Sequence, residues 1–187
     1  MHDGPELHTA RLVLRRWRNE DREPFARLNA DPVVMEHFPA PLSREESDDF
    51  VDRIEADFEV QGYGLWTVEL PGVAPFIGFV GLNIAKFDAH FTPALEVGWR
   101  LDRPFWGFGY ATEGGRAALR FAFDELGVEE VVSFTTVRNE RSRRVMERLG
   151  LCRDPGDDFE HPNVPVGHRI RPFVLYRIDR TAWESTA

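Results

Sequence analysis

The sequence predicts a mixed α/β domain in which a central, mostly antiparallel sheet is flanked by helices. Three observations carry that expectation. Apolar runs at Leu65–Leu70, Phe76–Leu82 and Ala94–Leu101 follow one another across polar or Pro-Gly breaks, which is the spacing of an antiparallel meander. After Leu101 the period changes: Ala118, Phe121, Ala122 and Leu126 mark one face of a helix that Gly127 closes. A strand over Val131–Val137, a helix over Ser142–Leu149 stopped by Gly150, and a late strand over Phe173–Ile178 complete the pattern.

Ahead of the meander, Leu7–Arg16 alternates around Leu12 and Leu14 and reads as a first strand. Asp21 is placed to cap a helix that runs to about Ala30, where Asp31-Pro32 stops it. Ser43 and Glu46 have the spacing of a capping box, and Phe50, Ile54 and Phe58 recur at helical intervals until Gly62. These two helices are read as a lid or flank. With no internal repeat, low-complexity tract or linker, residues 1–187 are expected to form one domain.

Composition narrows the function classes. Thirty-two acidic against 23 basic side chains give a net charge of −9, which repels nucleic-acid phosphate and mildly favours cationic partners. The strong preference for arginine over lysine reads as genome composition. No apolar run approaches a membrane span and the N-terminus lacks a signal-peptide layout, so a cytoplasmic location without membrane association is expected. A lone Cys152 fits a reducing compartment. The scattered histidines lack metal-ligand spacing, and no Gly-x-Ser-x-Gly elbow or Cys-His pairing points to a hydrolase.

The stretch from Leu101 to Glu113 lies where a strand hands over to a helix. Gly107 and Gly109 remove side chains where successive N–H groups converge, and the new helix adds the positive end of its dipole. That is a phosphate cradle, to which Thr112 adds a hydroxyl. A glycine-rich turn without ligand has the same appearance. A dinucleotide fold fits poorly, because its third glycine falls on Thr112 and no parallel βαβ unit precedes the turn.

WGFGYATEGGRAALRFAFDELGVEEV, followed by TTVRNERSRRVMERLGL, resembles the GNAT superfamily of acetyl-CoA-dependent N-acetyltransferases. More narrowly, LHTARLVLRRW and NADPVVMEHFP are similar to the branch containing the ribosomal-protein N-terminal acetyltransferases. The likeness runs from Leu7 to about Cys152 and implies a GNAT fold whose sheet splays between Ala94–Leu101 and Val131–Val137 to admit acetyl-CoA. The family's (Gln/Arg)-x-x-Gly-x-(Gly/Ala) loop aligns on Pro104–Gly109, with Pro104 in place of Gln or Arg and Arg103 beside it. By that alignment Phe105, Trp106, Gly107, Phe108, Gly109, Tyr110, Ala111 and Thr112 hold the CoA pyrophosphate, Trp99 and Leu101 line the coenzyme, and Asn139 and Ser142 meet its pantetheine arm.

Transfer from a thioester to an amine needs a neutral amine, oxyanion stabilisation and a proton for the thiolate. Glu96 resembles a carboxylate often found in this branch and is the candidate base; an ordinary ion pair with Arg100 or Arg11 is the competing reading. Where many family members carry a tyrosine acid this chain has Met146, which leaves Ser142, water or Tyr110. Main-chain N–H groups near Val97–Trp99 are expected to meet the oxyanion. The acceptor pocket is expected from the two early helices, the Lys86–Pro93 loop and the tail near Asp157–His168, offering Trp66, Phe38, Phe87, Phe91, Asp88, His90, Asp157 and Asp158. The expected partner is an amine, as a small molecule or a protein N-terminus; a homodimer is compatible with the sequence. A non-catalytic acyl-CoA-binding or regulatory module, favoured by the missing tyrosine, and a ligand-free interaction domain are the alternatives.

Overall fold

The computed structural model describes residues 5–186. One sheet contains β1 (Leu7–His8), β2 (Val13–Arg15), β3 (Leu65–Glu69), β4 (Gly78–Ala85), β5 (Ala94–Leu101), β6 (Glu130–Thr136), β7 (Cys152–Arg153), β8 (Phe159–Glu160) and β9 (Pro172–Asp179). Its order is β1-β2-β3-β4-β5-β6-β9-β7, with β8 also on β9. The helices are α1 (Arg22–Ala30), α2 (Arg44–Gln61), α3 (Tyr110–Arg120), α4 (Glu140–Arg148) and α5 (Arg180–Thr186).

Antiparallel pairing prevails everywhere except between β5 and β6. Those two strands run parallel and meet at one register position, Glu96 opposite Val132. On either side the ladders are long: β5 pairs with β4 from Ala94 to Leu101, and β6 pairs with β9 from Glu130 to Thr136. Two well-knit half-sheets therefore diverge from a single point of contact, and the divergence makes the cavity described below.

The two faces of β5 have different neighbours because side chains alternate along a strand. Phe79, the cross-strand partner of Arg100, packs against Phe25 of α1 and Phe50 of α2. Val80, the partner of Trp99, lies under α3, where a Cβ placed on Gly114 would come within 3.2 Å of it. Glu96, Gly98 and Arg100 thus face α1 and α2, and Val97, Trp99 and Leu101 face α3.

Most expected elements are present. The capping box is complete: Ser43 Oγ accepts from Glu46 N–H at 3.1 Å, and Glu46 accepts from Ser43 N–H at 2.7 Å. Three expectations are corrected. Leu7–Arg16 is two short strands joined by a turn, because Thr9 Oγ1 accepts from Leu12 N–H at 2.9 Å and folds the chain back. Asp21 does not cap α1 with its side chain, which is drawn into a buried network with Arg15 and Arg18 N–H. The long helix stays regular only to Arg120 and continues as a wider π-type turn over Phe121–Glu125. β7, β8 and α5 were not legible as separate elements.

Among the described residues no helix is long and apolar enough to cross a membrane. They also contain no group of three or more His, Cys, Asp or Glu arranged to hold a metal.

Candidate active site

The gap between β5 and β6 opens into a cavity of about 1040 Å³, lined at one end by the β5–α3 connection and at the other by α2 and the α1–α2 connection. The connection is built locally. Asp102 accepts from Arg103 N–H at 2.8 Å and starts a short 3-10 turn over Arg103–Phe105. The Trp106 indole donates to the Leu101 carbonyl at 2.7 Å and pins the bend to the strand it left. Gly107 and Gly109 then both adopt φ +84°, a left-handed conformation that side chains disfavour.

The first backbone bond of α3 runs from Glu113 N–H to the Gly109 carbonyl at 3.0 Å. N–H groups from Gly107 through Thr112 consequently have no acceptor among the described residues. Thr112 Oγ1 is fully enclosed and also lacks a partner. Gly107, Gly109, Tyr110, Ala111 and Thr112 all border the cavity. A row of free donors, an orphaned hydroxyl and the positive end of an 11-residue helix are what a pyrophosphate requires.

Farther in, Glu96 borders the same cavity. Asn83 donates to its carboxylate, and no cation among the described residues neutralises it; Arg100 bonds Asn29 and Arg11 bonds Glu113. Burial without a counter-charge raises its pKa to about 8, only partly offset by the Asn83 hydrogen bond. The ion-pair reading of Glu96 does not hold.

Residues 11–151 match the protein family described as Acetyltransferase (GNAT) domain. The chain belongs to the GNAT acetyltransferase family. An Aspergillus fumigatus relative named FsC-acetyl coenzyme A-N(2)-transacetylase is 36% identical over 186 residues, covering 96% of this chain and 78% of that one. A Bacillus subtilis relative named, provisionally, as a ribosomal N-acetyltransferase is 36% identical over 89 residues, 48% of this chain and 47% of the other. A crystal structure of an acetyltransferase from Agrobacterium tumefaciens strain C58 superposes with a TM-score of 0.76 at 26% identity, covering 94% and 95% of the two chains. Acetyl-CoA, the family's co-substrate, fits the cradle: among the described residues free N–H donors and an unpaired hydroxyl border the cavity, and a Cβ added at Gly107 would meet nothing within 4 Å.

In this acetyltransferase the divergence of the sheet also frees main-chain groups. Asp102 N–H turns toward β4, donating to Ile77 at 2.9 Å. Alternation along the strand then aims the N–H groups of Trp99 and Leu101 away from β4, into the gap toward β6. Trp99, Leu101, Phe105 and Trp106 all line the cavity, but the N–H groups of Phe105 and Trp106, expected to hold the pyrophosphate, already donate to the Asp102 and Arg103 carbonyls at 3.0 and 3.2 Å in the 3-10 turn. Phe108 does not line it: its ring is 60% exposed and stacks on Tyr110, while its carbonyl accepts from Arg11 at 3.0 Å. Only its N–H belongs to the cradle. Arg103 likewise lies outside the lining.

At the start of α4, Asn139 Oδ1 accepts from Ser142 N–H at 3.2 Å and Nδ2 donates to Thr135 Oγ1 at 2.9 Å. The amide is committed to capping the helix and fastening it to β6. Ser142 borders the cavity with its hydroxyl unbonded among the described residues. Met146, in the position of the usual tyrosine, is 1% exposed and packs in the core. Tyr110 reaches the cavity beneath the Arg11 guanidinium, 4.6 Å from its ring centroid.

The far half of the cavity departs most from expectation. Phe38 lines it, but Trp66 is fully buried in the core. Phe87 and Phe91 pack into an aromatic cluster around Phe134 and Phe159, and of these four only Phe134 reaches the lining. Asp157 bonds Arg177 at 2.7 Å and faces His90 at 3.5 Å, and Asp158 pairs with Arg153. Asp88, His90, Asp157 and Asp158 therefore do not supply a negative wall. Sequence reasoning missed Thr9, Arg11, Asn29 and Arg100 in these roles. Thr9 and Arg11 hold Glu113 from 104 and 102 residues away, at 2.6 and 2.7 Å, and no local pattern announces such contacts.

Proposed function

We propose that this acetyltransferase transfers the acetyl group of acetyl-CoA to a primary amine by direct attack within a ternary complex. The observation that carries the reading is the unpaired N–H row from Gly107 to Thr112, beside an unpaired Thr112 hydroxyl, opening on a cavity that reaches Glu96. Main-chain donors of the bend hold the pyrophosphate, and the Trp99 N–H in the gap meets the oxygen that gains charge. Glu96, with its pKa near 8, accepts the amine proton. An α-amine, with a reference pKa of about 7.7–8.0, suits that base better than a lysine at about 10.4. Ser142 supplies the proton to the departing thiolate, and Asn139 fixes the helix end that carries it.

The test follows free thiol while acetyl-CoA is mixed with small amines and peptides of free N-terminus. Turnover is expected. Glu96→Gln should lower kcat on the order of 10²–10⁴-fold while leaving acetyl-CoA affinity intact; an unchanged rate between about pH 6 and pH 9 removes Glu96 from the mechanism. Thermal stabilisation by CoA with no thiol release from any amine would replace the proposal with an acyl-CoA-binding module, a reading that buried Met146 supports.

A further inference from the structure

Arg100 is a half-buried cation whose Nε is enclosed and that has no counter-ion among the described residues. It borders the cavity on the α1–α2 face of β5, opposite the face that carries α3. Its Nη1 donates to Asn29 Oδ1 at 2.6 Å, and Asn29 is a neutral, fully buried side chain. No carboxylate among the described residues pairs with the guanidinium. Nε is enclosed with no acceptor, and no bond from Nη2 is present among the described residues. Phe38 stacks 4.1 Å from the guanidinium carbon, with Phe79 and Phe50 at 5.5 and 5.6 Å.

Nε and Nη2 form the side of the guanidinium fork that takes both oxygens of a carboxylate in parallel. Here that side is unfilled, while the aromatic rings fix the plane. A charge desolvated in this way is costly unless paired, so an arginine kept on the cavity wall with half its donors idle points to an anion arriving with the acceptor.

We propose that Arg100 is the specificity determinant of the acceptor site, binding a carboxylate on the molecule whose amine is acetylated. The inference rests on the amine-transfer reading above. It reverses the sequence expectation of an acidic pocket for a purely cationic acceptor. Glu96 and Arg100 are four residues apart on one face, so their Cα atoms lie about 13 Å apart at ~3.3 Å per residue. That spacing favours a carboxylate several atoms from the amine, as in an ω-amino acid or short peptide, over one on the same carbon.

Thiol release is compared for β-alanine against β-alaninamide and for triglycine against triglycinamide. The free acids should have a kcat/KM roughly 10- to 100-fold higher, expressed mainly in KM, the range expected for a charge-assisted hydrogen-bond pair. Arg100→Gln should erase that preference without raising the KM for acetyl-CoA. Arg100→Lys, which keeps the charge but lacks the fork, should restore part of it. Melting curves of both variants establish that they are folded. Equal rates for acid and amide in the wild type, an equal loss for both in Arg100→Gln, or a rise confined to acetyl-CoA KM would overturn the assignment. If no amine releases thiol, thermal stabilisation by N-acetyltriglycine over its amide, with CoA present, decides separately. A carboxylate-dependent shift that Arg100→Gln abolishes sustains the Arg100 site while amine transfer falls; no such shift removes the site.

Discussion

Arg15, which is buried, and Arg100, which is half-buried, differ in what surrounds them. Arg15, 3% exposed, is saturated: its nitrogens reach Asp21 at 2.8 and 2.9 Å, Glu69 at 2.9 Å, Thr67 at 3.0 Å and the Pro75 carbonyl at 2.7 Å. Its pKa is raised, because those carboxylates together outweigh burial, the largest single influence. Arg100 has one neutral partner, and burial alone pulls its pKa down to about 10. Arg15 ties β2 to β3 and to the start of α1. Arg100 does no comparable joining. A buried charge with every donor answered is part of the architecture; a half-buried one with an enclosed, idle donor beside a cavity is waiting for a ligand.

The largest expected effect tests that distinction. Arg15→Met strands Asp21 and Glu69 and should cost about 3–5 kcal/mol in denaturant unfolding, whereas Arg100→Met, which strands only the neutral Asn29 Oδ1, should cost about 1–2 kcal/mol. Equal losses would collapse the contrast.

Glu96 sharpens it from the acidic side. Its folded pKa of about 8 lies above the ordinary 4.5, so between those values the unfolded chain releases a proton that the folded chain retains. Stability contributed by this group is therefore greatest at low pH and declines as pH rises from 4.5 to about 8. Glu96→Gln should flatten that decline and raise stability at pH 7 by at most about 3 kcal/mol while impairing turnover. A variant that is less stable than wild type at pH 8 would contradict the description of Glu96 as an uncompensated carboxyl.

The smallest effect concerns the cradle. A Cβ at Gly107 meets nothing within 4 Å, so Gly107→Ala isolates the cost of its φ of +84°. The expected loss is roughly 1–2 kcal/mol of stability together with a higher acetyl-CoA KM, read by unfolding and steady-state kinetics. An unchanged KM would mean that the bend does not hold the coenzyme.

Much of the fold was legible because its signals are local. The Ser43–Glu46 box, the periodicity of α2, the meander and Gly107–Gly109 each depend on residues within a few positions of one another. The Leu7–Arg16 segment was misread as one strand because the bond that breaks it, Thr9 to Leu12, looks the same in sequence as alternation. The glycine bend was readable for the same local reason, but Phe105 and Trp106 were overcounted as donors because motif spacing does not show that a 3-10 turn claims their N–H groups.

The acceptor half was not legible. Asp157 and Asp158 read as free carboxylates, yet arginines from β7 and β9 claim both. Arg100 was one of two arginines offered as Glu96's partner in the competing reading, yet it bonds Asn29, 71 residues away. Sequence alone determined the order of the main strands and helices, the glycine bend and the family, since hydrophobic period, caps and turn chemistry are properties of short segments. Tertiary structure decided which charges are paired and which are left facing the cavity, because neutralisation depends on contacts among α1, β2, β5 and β9 that form only when the sheet closes around its core.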